Sequence, residues 1–158
     1  MNERKITKIK TKRGDTEAIS IAYVVVSDRN EEENLNCSLT SKEEARTEFY
    51  NALDGLRIML VDAIGLNPNI WLEEGQVIGL SIKYQEEGIG ITITGKCEIE
   101  GRYACPTTPY LVINDVESDD YKLIELMVDE CCKYLDGERK HFKQQSLFEQ
   151  ENVNYESL

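Results

Sequence analysis

Basic residues, histidine and long apolar runs are all scarce in this chain of 158 residues, and each scarcity argues against a class of function. Lysine and arginine number 18 against 30 aspartate and glutamate, for a formal net charge of -12. A surface of that sign repels phosphates, so direct duplex DNA binding is disfavoured. The single histidine, His141, sits among Arg139, Lys140 and Lys143, which reads as a solvated position rather than a base beside a nucleophile. The five cysteines, Cys37, Cys97, Cys105, Cys131 and Cys132, form an odd set with no Cys-x-x-Cys pair. They suit reduced thiols packed as small apolar residues better than a disulfide framework or a zinc site, so no metal and no cofactor is expected. No apolar run approaches the ~20 residues of a membrane helix, and the Met1–Arg4 start has no apolar segment behind it, so a cytoplasmic protein is expected.

Motifs for chemistry are missing as well. Gly88-Ile89-Gly90 precedes a strand pattern and not a helix, so it is no phosphate loop. The carboxylate pairs Glu73/Glu74, Glu86/Glu87 and Asp119/Asp120 fall where turns and helix caps account for them. No catalytic constellation is found, and the expectation is a protein that is not an enzyme.

What is present is a domain-sized chain with 41% hydrophobic residues. Residues 1–137 read as one α+β domain in the order β-β-β-α-β-β-(β)-α, an antiparallel sheet of about five to six strands packed against two helices. Residues 138–158 read as a polar, flexible tail. Ile6 and Ile9 among lysines suit an edge strand, Ala18 to Val26 a more buried one, and Leu35, Cys37 and Leu39 a third. Ser41-Lys42-Glu43-Glu44 has the Ser-x-x-Glu form of a capping box, which predicts one helix from about Lys42 to the stop at Gly65 and Pro68. Trp71 follows, either a plug at the end of the core or an anchor for a partner. Ile78 to Tyr84 and Ile89 to Thr94 alternate around Gln85-Glu86-Glu87-Gly88 as a hairpin. Arg102 to Pro109 reads as an irregular connection and Tyr110 to Ile113 as a last short strand. Ser118 then caps a helix over about Asp119 to Leu135, burying Ile124, Met127, Val128, Cys131 and Leu135.

In the tail one string stands out, Gln144-Gln145-Ser146-Leu147-Phe148. By ordinary residue frequencies its pattern should occur in only about three chains per thousand of this length. It resembles the peptide that many bacterial replication and repair proteins insert into the β sliding clamp of DNA polymerase. That resemblance implies Gln144 as a polar anchor, Leu147 and Phe148 as apolar anchors in a cleft on the clamp, and Ser146 where a small or acidic residue is usual. The chain also looks like small phage and prophage accessory proteins of Gram-positive bacteria. The segments that carry this likeness are Phe49-Tyr50-x-Ala52-Leu53, the hairpin, and Leu135-Asp136-Gly137-Glu138-Arg139 before the terminal string. The departure is the ten residues after Phe148, where such a peptide would be expected to end the chain. The alternative is an acidic decoy that inhibits a host nucleic-acid-binding or defence protein through the domain surface.

Overall fold

A computed structural model describes residues 3–14, 17–27 and 33–140. Seven strands form one antiparallel sheet: β1 (Glu3–Lys12), β2 (Ala18–Val26), β3 (Leu35–Ser41), β4 (Gln76–Gln85), β5 (Gly88–Ile99), β6 (Arg102–Ala104) and β7 (Leu111–Ile113). Their spatial order is β3-β2-β1-β4-β5-β6, with β7 also pairing β5. Four helical segments cover one face: α1 (Thr47–Asp54), α2 (Arg57–Ile64), α3 (Pro68–Glu74) and α4 (Asp119–Leu135). The α+β class and the antiparallel sheet are therefore as the sequence predicts, with more strands and with the first helix in pieces.

β1 is not an edge strand. It lies between β2 and β4, pairing with both, and Ile6 and Ile9 are fully buried. Two isoleucines three apart cannot share a face of a regular strand, whose side chains alternate. A bulge resolves this: the register with β2 shifts between Ile6 and Lys8, and the spare Thr7 donates its hydroxyl to the Ala22 carbonyl at 3.1 Å. Ile6, Ile9 and Thr11 thus point into the core while Lys8, Lys10 and Lys12 point away from it.

The predicted helix from Lys42 begins instead at Thr47. Ser41 still belongs to β3, opposite Ile19, and its hydroxyl accepts the Glu43 N–H at 3.0 Å in a local turn. A serine two residues before an acceptor-hungry N–H satisfies either a cap or a turn, and the strand claims it here. The helix then breaks at Gly55-Leu56, where the last turn tightens so that Leu56 N–H reaches the Leu53 carbonyl at 3.1 Å. Gly65, at φ +67°, ends α2 in the left-handed conformation glycine adopts without strain. Asn67 caps α3 through its side chain, with Pro68 at the first position.

α4 matches its expected span in full, with Ser118 Oγ accepting the Tyr121 N–H at 3.2 Å and Asp119 and Asp120 in the first turn. Ile124, Met127 and Cys131 are buried as expected, and Cys132 is only half-buried. Tyr134, whose hydroxyl donates to the Glu43 carbonyl, takes a larger share of the buried face than Leu135 does. The core lies between this helical layer and the sheet: Ile19, Ile21, Leu80, Ile91 and Ile93 from below meet Phe49, Leu53, Leu56 and Leu60 from above. Trp71 is 2% exposed, so it plugs the core. Arg102 to Ala104, expected to be irregular, pairs with β5 across a two-residue turn in which Glu100 and Gly101 both have positive φ. Glu138 to Lys140, placed in the tail by the sequence, bind back: Lys140 N–H donates to the Glu44 carbonyl at 3.1 Å and Arg139 pairs with Glu43 at 2.9 Å.

Candidate functional site

Several charged groups at the helical layer tie its elements together. Arg13 at the end of β1 makes a two-pronged contact with Asp54 at 2.9 and 2.8 Å, and Asp54 also accepts the Val77 N–H at 3.1 Å. One carboxylate thereby ties the end of α1 to β1 and β4. Arg57 donates to the Asp54 and Gly75 carbonyls, holding α2 to the turn after α3. Glu130, 5% exposed, accepts from Arg46 at 2.9 and 3.1 Å, which raises the Arg46 pKa above its ordinary value and locks α1 to α4. Arg4 pairs with Asp136 at 2.9 Å and is likewise held charged.

The thiols do not assemble into a reactive site. All five cysteines are free, and burial pushes the Cys97, Cys131 and Cys132 thiols up from their ordinary value, with Arg4 opposing part of the rise at Cys132. A thiol kept protonated is a poor nucleophile and a poor metal ligand. Among the described residues no three His, Cys, Asp or Glu side chains gather as a metal site. No helix among them is long and apolar enough to cross a membrane.

The clefts that open on the surface of the described residues include an apolar one and a polar one. One of about 140 Å³ lies between the start of β1, the end of the β4–β5 hairpin and α4, floored by Ile82, Tyr84, Ile89 and Ile124 and rimmed by Lys5, Glu125 and Asp129. Tyr84 there donates its hydroxyl to the Ile6 carbonyl at 2.9 Å, and burial pushes its pKa up to about 12. The other, about 280 Å³, is polar, lined by Arg13, Gln76, Lys96, Glu98 and Tyr103. Neither brings a nucleophile, a base and a polarising donor together.

The face of the sheet that the helices leave open has a different character. Strand register places Lys10 between Ser20 and Gly79, and Lys8 between Ala22 and Ser81. Ser20 continues to Thr40, their hydroxyls 3.1 Å apart, and Ser81 to Thr92. On β5 the Thr94 hydroxyl meets that of Thr107 at 3.0 Å. Lys12, Lys83 and Lys96 share this side, so its centre is lysine and hydroxyl. The carboxylates that the register brings to it, Glu3 and Glu98, lie at opposite ends. The contrast with the other layer is sharp: Arg4, Arg13, Arg46 and Arg139 each pair with a carboxylate. Among the described residues Lys8, Lys10, Lys12 and Lys83 enter no ion pair. Two exposed aromatic rings border the face. Tyr110 lies across Gly90, which has no side chain to block it, and accepts from Gln85 Nε2 at 2.7 Å. Lys96 stands 4.5 Å over the ring of Tyr103.

No family model, curated protein or solved structure matches this chain.

Gln144, Ser146, Leu147 and Phe148, the partner-binding residues that the sequence predicts, lie outside the described residues, as does His141. The last described residue, Lys140, lies at the surface beside the turn before α1, its ammonium 3.1 Å from Glu44. Sequence reasoning missed the open basic face because it took the lysines of β1 for the guard of an edge strand. The alternation of lysine with core isoleucine was the available signal, but the bulge at Thr7 obscured it.

Proposed function

We propose that this chain is a non-enzymatic accessory protein of a phage or prophage that docks on the bacterial β sliding clamp through Gln144 to Phe148, in the host cytoplasm. The observation that carries the reading is the Gln-x-Ser-Leu-Phe string itself, which starts four residues beyond Lys140, whose N–H is bound to the Glu44 carbonyl. Four residues reach at most about 14 Å, so the peptide would meet its partner close to the helical layer and the domain would be carried with it. Burying two large apolar side chains is worth roughly 3 to 6 kcal/mol before the cost of ordering the segment, which points to micromolar affinity for a single site. The clamp repeats its pocket around a ring, so two copies on one ring would gain from avidity if they also touch each other.

The ion pairs of Arg4, Arg13, Arg46 and Arg139 tie the helical layer together, which suits a rigid domain carried by the peptide. The alternative, an acidic decoy of a host nucleic-acid-binding protein, would need carboxylates presented together; several are instead neutralised by Arg4, Arg13, Arg46 and Arg139. Titrating purified clamp with the intact protein and with a Leu147→Ala/Phe148→Ala variant tests the proposal. The intact protein should bind at micromolar concentration and the variant at least about thirtyfold more weakly, as expected when roughly 2 kcal/mol or more of apolar contact is lost. Absence of binding by the intact protein, or equal binding by the variant, would refute it.

A further inference from the structure

We infer that the open face of the sheet binds single-stranded nucleic acid along β1 and β4, with Lys8, Lys10 and Lys83 on phosphates and Tyr103 and Tyr110 as stacking platforms for bases. The inference stands on the structure of the domain and is independent of clamp docking.

The first argument is one of sign. In a chain of net charge -12, the centre of one face carries lysines without ion-pair partners among the described residues, and among the described strands the register brings Glu3 and Glu98 to that face at its ends. Lysines left unpaired on a protein with so many carboxylates concentrate positive potential where a polyanion can use it. The second is spacing. Lys8, Lys10 and Lys12 alternate along a central strand, so their stems rise from backbone positions about 6.8 Å apart, a repeat that an extended sugar–phosphate chain can follow. The neighbouring rows of Ser20, Thr40, Ser81 and Thr92 supply hydroxyls that donate to phosphate and sugar oxygens.

The third is the rim. Tyr103 and Tyr110 are 65% and 48% exposed, and each stands beside a lysine of the same face: Lys96 over Tyr103, and Lys83 in register with the Gly90 that Tyr110 covers. Aromatic rings beside a basic groove recognise any base by stacking, and this pairing selects unstacked single strands over a duplex whose bases are hidden. An acidic peptide would use the lysines but would have no use for the rings, and the hydroxyl-lined centre offers its side chains no apolar pocket. The acidic layer on the other side confines the contact to this face, so a short site is expected.

Fluorescence anisotropy with a labelled oligothymidylate of about twelve nucleotides, in the absence of clamp, reads the binding directly. With about three phosphate contacts, raising salt from about 20 to about 200 mM should weaken binding by about a hundredfold, the slope expected of single strands. Lys8→Gln/Lys10→Gln/Lys83→Gln should weaken binding at low salt at least about tenfold and flatten the salt dependence. Tyr110→Ala should weaken it without changing the salt slope. Lys122→Gln, on the opposite layer, should leave it unchanged, and melting curves confirm that each variant is folded. Failure of the intact protein to bind at low salt would overturn the proposal, as would a folded triple variant that binds normally. Equal competition by poly-glutamate or by a duplex of the same length would overturn it in favour of an unselective anion surface.

Discussion

Replacing Arg46 with methionine removes the two hydrogen bonds, at 2.9 and 3.1 Å, that satisfy the buried Glu130 carboxylate. Glu130 is 5% exposed, and what remains to it is Lys133 at 3.6 Å. Breaking a buried pair by removing one partner costs about 3 to 5 kcal/mol, because the other charge is left without compensation. Two features reduce that here: the Arg46 side chain is itself 29% exposed, and Lys133 can close on the abandoned carboxylate. About 2 to 3 kcal/mol is therefore expected, a fall in Tm of roughly 5 to 10 °C for a domain of this size. The pair joins the start of α1 to the middle of α4, so the loss should appear as one cooperative transition at lower denaturant and not as fraying of one helix. The decisive comparison is the double variant Arg46→Met/Glu130→Leu, which removes both charges and fills the volume with apolar atoms. It should lie within about 1 kcal/mol of the parent, giving a coupling of at least about 1 kcal/mol in a double-mutant cycle. Urea unfolding followed by circular dichroism measures all four proteins. A single variant within about 0.5 kcal/mol of the parent, or a double variant whose loss is the sum of the two singles, would refute the account of Glu130 as a buried charge held by Arg46.

Two further outcomes follow from particular contacts. Gly95→Ala places a methyl group 2.4 Å from Leu60 Cδ2 and 2.8 Å from Trp71 Cζ3, so overpacking should cost about 1 to 3 kcal/mol in urea unfolding, part of it recovered by Leu60→Val in the same chain; an unchanged midpoint for the single variant would show that the α2–α3 layer does not press on β5 there. Tyr84 is held neutral in the folded state up to about pH 12 while an unfolded tyrosine ionises near 10, so its contribution to stability is complete below about pH 10 and is lost as the pH rises from there through about 12. Tyr84→Phe should lower stability by about 1 kcal/mol at neutral pH through the lost bond to Ile6 and should flatten the alkaline limb of the stability curve; a variant with the parent's alkaline profile would assign that limb to another group.

Much of the fold was legible because local signals and tertiary demands agree. α4 has a serine cap, acids in the first turn, an apolar stripe and a following glycine, and it forms over the span these predict. The β4–β5 hairpin alternates from Gly79 to Thr94, and Ile82, Ile89, Ile91 and Ile93 are the floor of the core; Ile78, expected among them, falls at a register shift between Val77 and Gly79 that gives its buried place to Val77. Where a local signal admitted two uses, the sequence misled. Ser41 can cap a helix or close a turn, and pairing of its own backbone with Ile19 decided for the turn. Gly55 can sit inside a helix or end it, and the helix ends there because Asp54 is drawn to Arg13 and to Val77. The partner peptide proposed at Gln144 to Phe148 rests on the sequence alone, because a linear motif carries its recognition in consecutive residues and needs no fold to assemble it.

The sequence by itself determined most of the core of α4 and of β5, since a hydrophobic period is set by the geometry of helix and strand and survives any arrangement of the elements. It also determined the net charge. Strand order is a long-range property, and only the tertiary structure decided it. Pairing of β1 with β2 is local, but its pairing with β4 joins residues some seventy positions apart. That second pairing turned a strand with the composition of an edge into the middle of the sheet. It also gathered lysines from β1, β4 and β5 onto the face that the described helical segments leave open, because those segments lie on the other side, where the isoleucines needed them.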